Sequence, residues 1–212
     1  MRLDVYGDNM SEDDNSVNIG RRATYHHGDL RAALIDAGLA MLAEKPAEEI
    51  SLREIARRAG VSATAVYRHF PDKQALLDAM ACEGMEALGR AQRSASDAAG
   101  GGETGFAASG ATYVRFAVEN PALFRLVFTS APTVSLIDLA PDKMSTTMRG
   151  LRDDIARLLP PNLPEADRRA AALHAWSLVH GLSMLILDGQ IPYDPVEIER
   201  IIHALPCQAG PA

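Results

Sequence analysis

Residues 51–70 read Ser-Leu-Arg-Glu-Ile-Ala-Arg-Arg-Ala-Gly-Val-Ser-Ala-Thr-Ala-Val-Tyr-Arg-His-Phe, and this stretch decides the fold. Ser51 and Glu54, three positions apart before an apolar run, form the pattern of a capping box, in which each side chain satisfies the other's free amide. The helix so begun runs from Leu52 to Ala59 and stops at Gly60, a residue that tolerates the left-handed backbone of a tight turn between crossed helices. Ser62 caps a second helix over 63–70. Ile55, Ala56, Val61 and Val66 are apolar where the two helices must face each other, and alanine at 56 permits close approach. The residues left exposed on the second helix are Ala63, Thr64, Tyr67, Arg68 and His69. They are short and polar in the first turn, aromatic and basic further along. A recognition helix has this pattern, because its first turn enters the major groove while its flanks bond phosphates. Lys73, opening the next helix, can reach a phosphate beside that helix's dipole. A helix-turn-helix can also be purely structural, and twenty residues alone leave that reading open.

Charge is distributed unevenly around this motif. The 212 residues carry a net charge of −7. Residues 1–19 hold Arg2 against five carboxylates, whereas residues 20–75 hold nine Lys/Arg against seven Asp/Glu together with His26, His27 and His69. The remainder is acidic again. A basic island in an acidic chain suggests that one module meets a polyanion while the rest does something else.

Working outward, residues 1–20 are polar and aperiodic and read as a disordered leader. Gly28-Asp29 precedes a helix whose Leu30, Ala33, Leu34, Ala37, Met41 and Leu42 recur at three- and four-residue steps, and which ends at Glu44-Lys45-Pro46. Pro71-Asp72 caps a fourth helix striped by Leu77, Met80, Ala81, Gly84 and Leu88. Ser94–Gly105 is rich in glycine and serine and reads as a flexible connection. Helical pattern follows over 106–119, 121–128, 143–159 and 165–189, and Ile198, Ile201, Ile202 and Leu205 give a last apolar stripe. No alternating β pattern and no repeat occurs, so the expected class is all-α. The expected organisation is a leader (1–20), a helix-turn-helix DNA-binding domain (21–75) and a helical ligand-binding and dimerisation domain (76–212).

Composition narrows the function classes. Apolar residues make up 47% and charged residues 23%, which excludes wholesale disorder. No unbroken apolar run approaches the roughly 20 residues of a membrane span, and no secretory pattern opens the chain, so a cytoplasmic setting without membrane contact is expected. Cys82 and Cys207 have no metal-ligand spacing, the six histidines do not pair at i and i+4 with a carboxylate, and nothing marks a nucleophile with an orienting base. The glycines near 100 lack the lysine and Ser/Thr of a phosphate loop. No metal, no cofactor and no catalytic residue are therefore expected.

Tyr25-His-His-Gly-Asp-Leu-Arg31, Leu52–Ser62 and Ala65-Val-Tyr-Arg-His-Phe-Pro-Asp-Lys73 closely resemble the DNA-binding domain of TetR/AcrR-type transcriptional regulators. Asn120–Phe128 and Trp176-Ser-Leu-Val-His-Gly181 are similar to the signature of the WHG C-terminal domain in one branch of that family. The resemblance implies an all-α homodimer that binds a double-stranded DNA operator through its N-terminal helices and a small-molecule effector through its C-terminal domain, usually as a repressor. Carried over by position, Ser51 and Arg53 approach the backbone, Ala63 and Thr64 face bases behind the Ser62 cap, and Tyr67, His69 and Lys73 hold phosphates. Arg21, Arg22, Tyr25 and His26 are placed to form an arm for the minor groove. The family context also makes Phe106, Tyr113, Phe116, Phe128, Met148, Trp176 and His180 candidates to line an effector cavity, although at helical spacing such residues equally build a core.

The helix over 165–189 is apolar on more than one side. One side packs within the subunit, so the other needs a partner, and with the 198–205 stripe it fits a four-helix interface across a two-fold axis. Two other classes remain at this level: an all-α small-molecule enzyme or carrier with a vestigial helix-turn-helix, and a protein-interaction module that docks through its first helices.

Overall fold

The computed structural model describes residues 30–129 and 136–204, and the described residues from Arg31 onward form one compact unit. The leader, the arm residues Arg21 to His26, the Gly28-Asp29 cap, Leu205 and Cys207 lie outside the described residues. Helices α1 (Leu30–Leu42), α2 (Leu52–Arg58) and α3 (Ala63–His69) come first, with a 3-10 turn at Ala47–Glu49 between α1 and α2. Then follow α4 (Lys73–Ala98), α5 (Gly102–Glu119), α6 (Pro121–Thr129), α7 (Thr146–Leu158), α8 (Glu165–Leu187) and α9 (Pro195–His203), with short 3-10 turns at Leu136–Asp138 and Pro141–Lys143. Among the described residues there is no strand, and the class is all-α.

The helix starts obey local chemistry. Ser51, Ser62, Asp72 and Ser145 each accept a hydrogen bond from the backbone amide three residues on, at 2.8 to 3.3 Å. Only half of the capping box at Ser51 forms, because the Glu54 carboxylate turns to the Lys45 ammonium instead of the Ser51 amide. Leu34, Met41, Ile55, Val66, Phe70, Leu76 and Met80 are buried in the N-terminal part. Gly38 sits so near Met80 that a Cβ there would meet its sulfur at 2.7 Å, so α1 lies directly against α4.

The expected flexible connection over 94–105 is absent. Helix α4 continues through Ala98 and α5 begins at Gly102, so only three residues lie between them. Gly100 and Gly101 have φ of +84° and +70°, and the Gly101 amide donates to the Ser96 carbonyl at 2.9 Å, closing the end of α4. Gly105 packs on α4 so tightly that a Cβ would lie 2.6 Å from Ser96 Oγ. Glycine enrichment here marks a sharp reversal and a close helix approach, two uses that composition does not distinguish from a linker.

Tyr113, Val114, Ala117, Phe124, Val179, Leu182, Ile198 and Ile202 form the main core, drawn from α5, α6, α8 and α9. By length and composition α8 is apolar enough to cross a membrane. Here its Ala172, Val179 and Leu182 are buried against other helices of the unit.

Candidate DNA interface and effector cavity

Helices α2 and α3 are seven residues each, too short to be stable alone, and packing holds them. The Val61 amide donates to the Ala56 carbonyl at 2.9 Å across the turn, where Gly60 has φ of +69°. Ile55 and Val66 fill the angle between the helices and are fully buried. The Arg31 guanidinium lies 5.3 Å from the Phe70 ring centroid, clamping the end of α3. Arg58 grips Glu44 with two bonds, at 2.8 and 2.5 Å, tying α2 to the end of α1. That fork holds the Glu44 carboxyl below its usual range and raises the guanidinium.

What this packing leaves outside is the sequence-predicted face. Ser51, Arg53, Ser62, Thr64, Tyr67 and His69 are exposed, and Ala63 is half-buried at the start of α3. Tyr67 is 49% exposed, unusual for an aromatic ring with no cover in its own subunit. Lys73 is differently engaged: its ammonium donates to the Glu48 carbonyl at 2.6 Å, fastening the start of α4 to the 3-10 turn. Arg68, read as part of the outer face of α3, is exposed, and Arg57 on α2 is a further exposed cation that motif reading did not single out.

The second feature is a cavity of about 470 Å³ between α4, α5, α7 and α8. Phe106, Tyr113, Met148 and Trp176 line it, beside Val179, Ile202 and the small residues Gly89, Gly110, Gly150 and Ala175. Phe116 and Phe128 pack on the main core instead. His180 stands behind the wall: Trp176 Nε1 donates to the Tyr113 hydroxyl at 3.3 Å, and that hydroxyl lies 3.0 Å from His180 Nδ1. In the neutral imidazole that carries its proton on Nε2, the hydroxyl donates onward and Nδ1 accepts. Burial pushes the His180 pKa down and the Tyr113 pKa up, in keeping with that assignment.

The floor of the cavity is a latch between α4 and α7. The Glu86 carboxylate accepts from both the amide and the hydroxyl of Thr146, and Thr147 Oγ1 donates to the Met85 carbonyl at 2.9 Å. Beside them a Cβ on Gly89 would lie 2.7 Å from the Thr147 amide nitrogen. Partial burial alone would raise the Glu86 pKa, but the two Thr146 bonds, together with the charges of Arg90 and Arg93, outweigh it and hold the carboxyl below its ordinary value. Neither Glu86 nor Gly89 was marked by any motif. A second cavity of about 500 Å³ between α7 and α8 is ringed by Arg149, Arg152, Arg168 and Arg169. Its arginines are already used, as where Arg169 forks onto Asp138 with two bonds of 2.7 Å.

Two family models match the chain. That described as bacterial regulatory proteins, tetR family, covers residues 34–80, and that described as Tetracyclin repressor-like, C-terminal domain, covers 106–205. The chain belongs to the tetR family of bacterial regulatory proteins. Membership makes it a DNA-binding transcription regulator. Among solved structures, a protein of unknown function from Rhodococcus sp. RHA1 is 28% identical, with a TM-score of 0.68 over 85% of this chain and 94% of the other. A tetR-family transcriptional regulator from Streptomyces coelicolor is 24% identical, with a TM-score of 0.58 over 82% and 77%. The TetR family repressor AlkX from Dietzia sp., implicated in biodegradation of n-alkanes, is 19% identical, with a TM-score of 0.53 over 82% and 91%. At these identities the last two share the fold with this tetR-family chain.

Proposed function

We propose that this regulator is a cytoplasmic repressor that grips a palindromic operator as a homodimer and lets go when a small apolar molecule fills the cavity. The observation that carries the reading is the continuity of α4. Its 26 residues, about 39 Å at the helical rise, begin at Lys73 beside the recognition helix and reach the cavity wall at Gly89, Gln92, Arg93 and Ser96. An occupant that favours a different arrangement of α4 shifts the two recognition helices away from the spacing of about 34 Å that successive major grooves impose. In this scheme Thr64 and Ala63 read bases, Tyr67, His69 and Lys73 hold phosphates, and Ser51, Arg53 and the Ser62-capped turn meet the backbone. Lys73 reaches its phosphate by giving up the Glu48 carbonyl.

The dimer reading rests on the far end of the molecule. Leu185 on α8 is 45% exposed and Val196 on α9 is 63% exposed, on the two helices whose apolar stripes exceed what the subunit covers. A second copy offering the same face buries them. No cofactor enters the scheme, and the chain acts by binding rather than catalysis. A gel shift with the DNA flanking its own coding region, at two salt concentrations, tests the core of this reading. A shifted band that weakens steeply with salt is expected, and absence of any sequence-selective shift rejects operator binding.

A further inference from the structure

Four polar residues are buried among the described ones: Ser109, Thr112, Thr147 and Ser183. Three have partners. Arg115 donates to Thr112 Oγ1 at 3.3 Å, Thr147 Oγ1 donates to the Met85 carbonyl, and Ser183 Oγ donates to the Val179 carbonyl at 2.7 Å. Ser109 is 9% exposed, yet its hydroxyl bonds to no described residue. No side-chain nitrogen or oxygen among the described residues is both sealed from solvent and unpartnered, so this hydroxyl is reached by solvent. Ser109 lines the 470 Å³ cavity, and that is the void available to it. Gln92 is fixed beside it, its amide nitrogen donating to the Ser109 carbonyl at 3.3 Å, and Ser96 lines the same α4 wall one turn on. The remaining inner wall is Phe106, the Tyr113 ring, Trp176, Val179 and Ile202.

An apolar occupant that displaces solvent from this hydroxyl removes its hydrogen bond, and a ligand oxygen placed against it restores that bond. The surroundings fix the kind of oxygen. Trp176 and Tyr113 are engaged with each other and with His180, and Thr147 donates to Met85, so the Ser109–Gln92 corner is where an inner acceptor can be met. The corner is neutral. A carboxylate placed there loses hydration without a buried countercharge, because the arginines that line the cavity, Arg93, Arg149 and Arg157, are all exposed and Asp97, Asp153 and Asp154 line it with them. We infer that the effector is an uncharged, mainly apolar molecule carrying one oxygen function, such as a ketone or alcohol, that accepts a hydrogen bond from Ser109 within this cavity. The inference rests on the effector-site reading above and specifies its chemistry.

The chain has a single tryptophan, and Trp176 lines the cavity, so its fluorescence reports occupancy directly. Three probes of matched shape separate the possibilities: butylbenzene, benzylacetone and hydrocinnamate, which carry at the same carbon a methylene, a ketone and a carboxylate. Benzylacetone is expected to bind the wild type, and Ser109→Ala is expected to weaken it about fivefold while changing butylbenzene affinity less than twofold. Retained butylbenzene binding shows that the variant is folded. Equal effects of Ser109→Ala on the two neutral probes overturn the inference. Hydrocinnamate binding tightest, and losing that advantage in Arg93→Gln, overturns it in favour of a charged head held at the mouth. If no probe alters Trp176 fluorescence, the cavity is not an effector site and the reading beneath falls with it. A flat preference among probes that do bind removes the Ser109 inference alone.

Discussion

The two ends of the molecule are held together by different kinds of contact. In the helix-turn-helix the polar bonds are mostly local: Ser62 to the Ala65 amide and Asp72 to the Ala75 amide span three residues, and the Arg58–Glu44 fork spans 14. Around the cavity they join residues far apart in the chain. Glu86 to Thr146 spans 60 positions, Tyr113 to Trp176 63 and Tyr113 to His180 67. Local bonds fix a rigid unit whose outer face is free to meet DNA. Long-range bonds tie separate helices into a frame, and a frame can change shape when something enters it. On the proposed switch, the recognition unit moves as a body and the packing of α7 on α4 is the part that yields.

The largest expected effect tests whether the far end of the frame is an interface. Leu185→Asp removes an exposed apolar contact without disturbing the core, so the monomer should melt as the wild-type chain does in its dissociated form. Sedimentation should show a single subunit. Operator affinity should fall by about a thousandfold, toward non-specific binding, because one recognition helix contacts too little DNA. A variant that stays dimeric with undiminished operator affinity removes α8 from the interface. Leu182→Asp, one turn earlier and buried, should unfold the chain.

Two glycines on the cavity wall sharpen the contrast between latch and free wall. At Gly89 a methyl group meets the Thr147 backbone at 2.7 Å, whereas at Gly150 it meets nothing within 4 Å. Gly89→Ala should destabilise by about 1–2 kcal/mol net, the clash exceeding the roughly 1 kcal/mol gained in helix propensity. Gly150→Ala should stabilise by about 0.5–1 kcal/mol. Denaturant titration gives both numbers, and equal signs would mean that α7 is not pinned where Gly89 meets it.

Glu86→Gln tests the same latch through its charge. The substitution keeps the shape but loses the carboxylate's double acceptance from Thr146, at an expected cost of about 1 kcal/mol at neutral pH. Because the folded-state pKa of Glu86 is below its unfolded value near 4.5, its contribution is complete above that value. It disappears as pH falls through the lower folded one. Wild type and Glu86→Gln should therefore converge in stability toward acid pH. A constant gap across the acid range would assign the loss to shape rather than charge.

The smallest effect separates anchoring from reading at the DNA end. Lys73→Ala should weaken all sequences alike, by reducing the slope of log affinity against log salt by about one. Thr64→Ala should relax one base position and leave the slope unchanged. If Lys73 serves only the Glu48 carbonyl, the slope will not move while thermal stability falls.

How much was legible follows the same divide. Ser51, Ser62, Asp72 and Gly60 announce the ends of α2, α3 and α4 because a cap or a left-handed turn needs only residues within reach of one another along the chain. The Ser94–Gly105 segment misled because glycine serves linkers, reversals and close helix contacts with the same side chain. Of the seven aromatic, methionine and histidine candidates, Phe106, Tyr113, Met148 and Trp176 line the cavity, while Phe116 and Phe128 pack on the core and His180 backs the wall. Gln92, Ser96 and Ser109 line it without having attracted notice, since nothing in their local sequence marks a hydroxyl as lacking a partner.

By itself the sequence determined the order of the helices, the starts of α2, α3 and α4, and the polar face of α3. These depend on hydrophobic period and on capping bonds over three or four residues, and both are properties of neighbours in the chain. Tertiary structure alone decided that α4 and α5 meet in a turn of three residues, that Glu86 caps a helix 60 positions away, and that Ser109 faces a void. Those outcomes depend on how helices stack in space, where a single small residue such as Gly89 or Gly105 sets which surfaces touch and which stay apart.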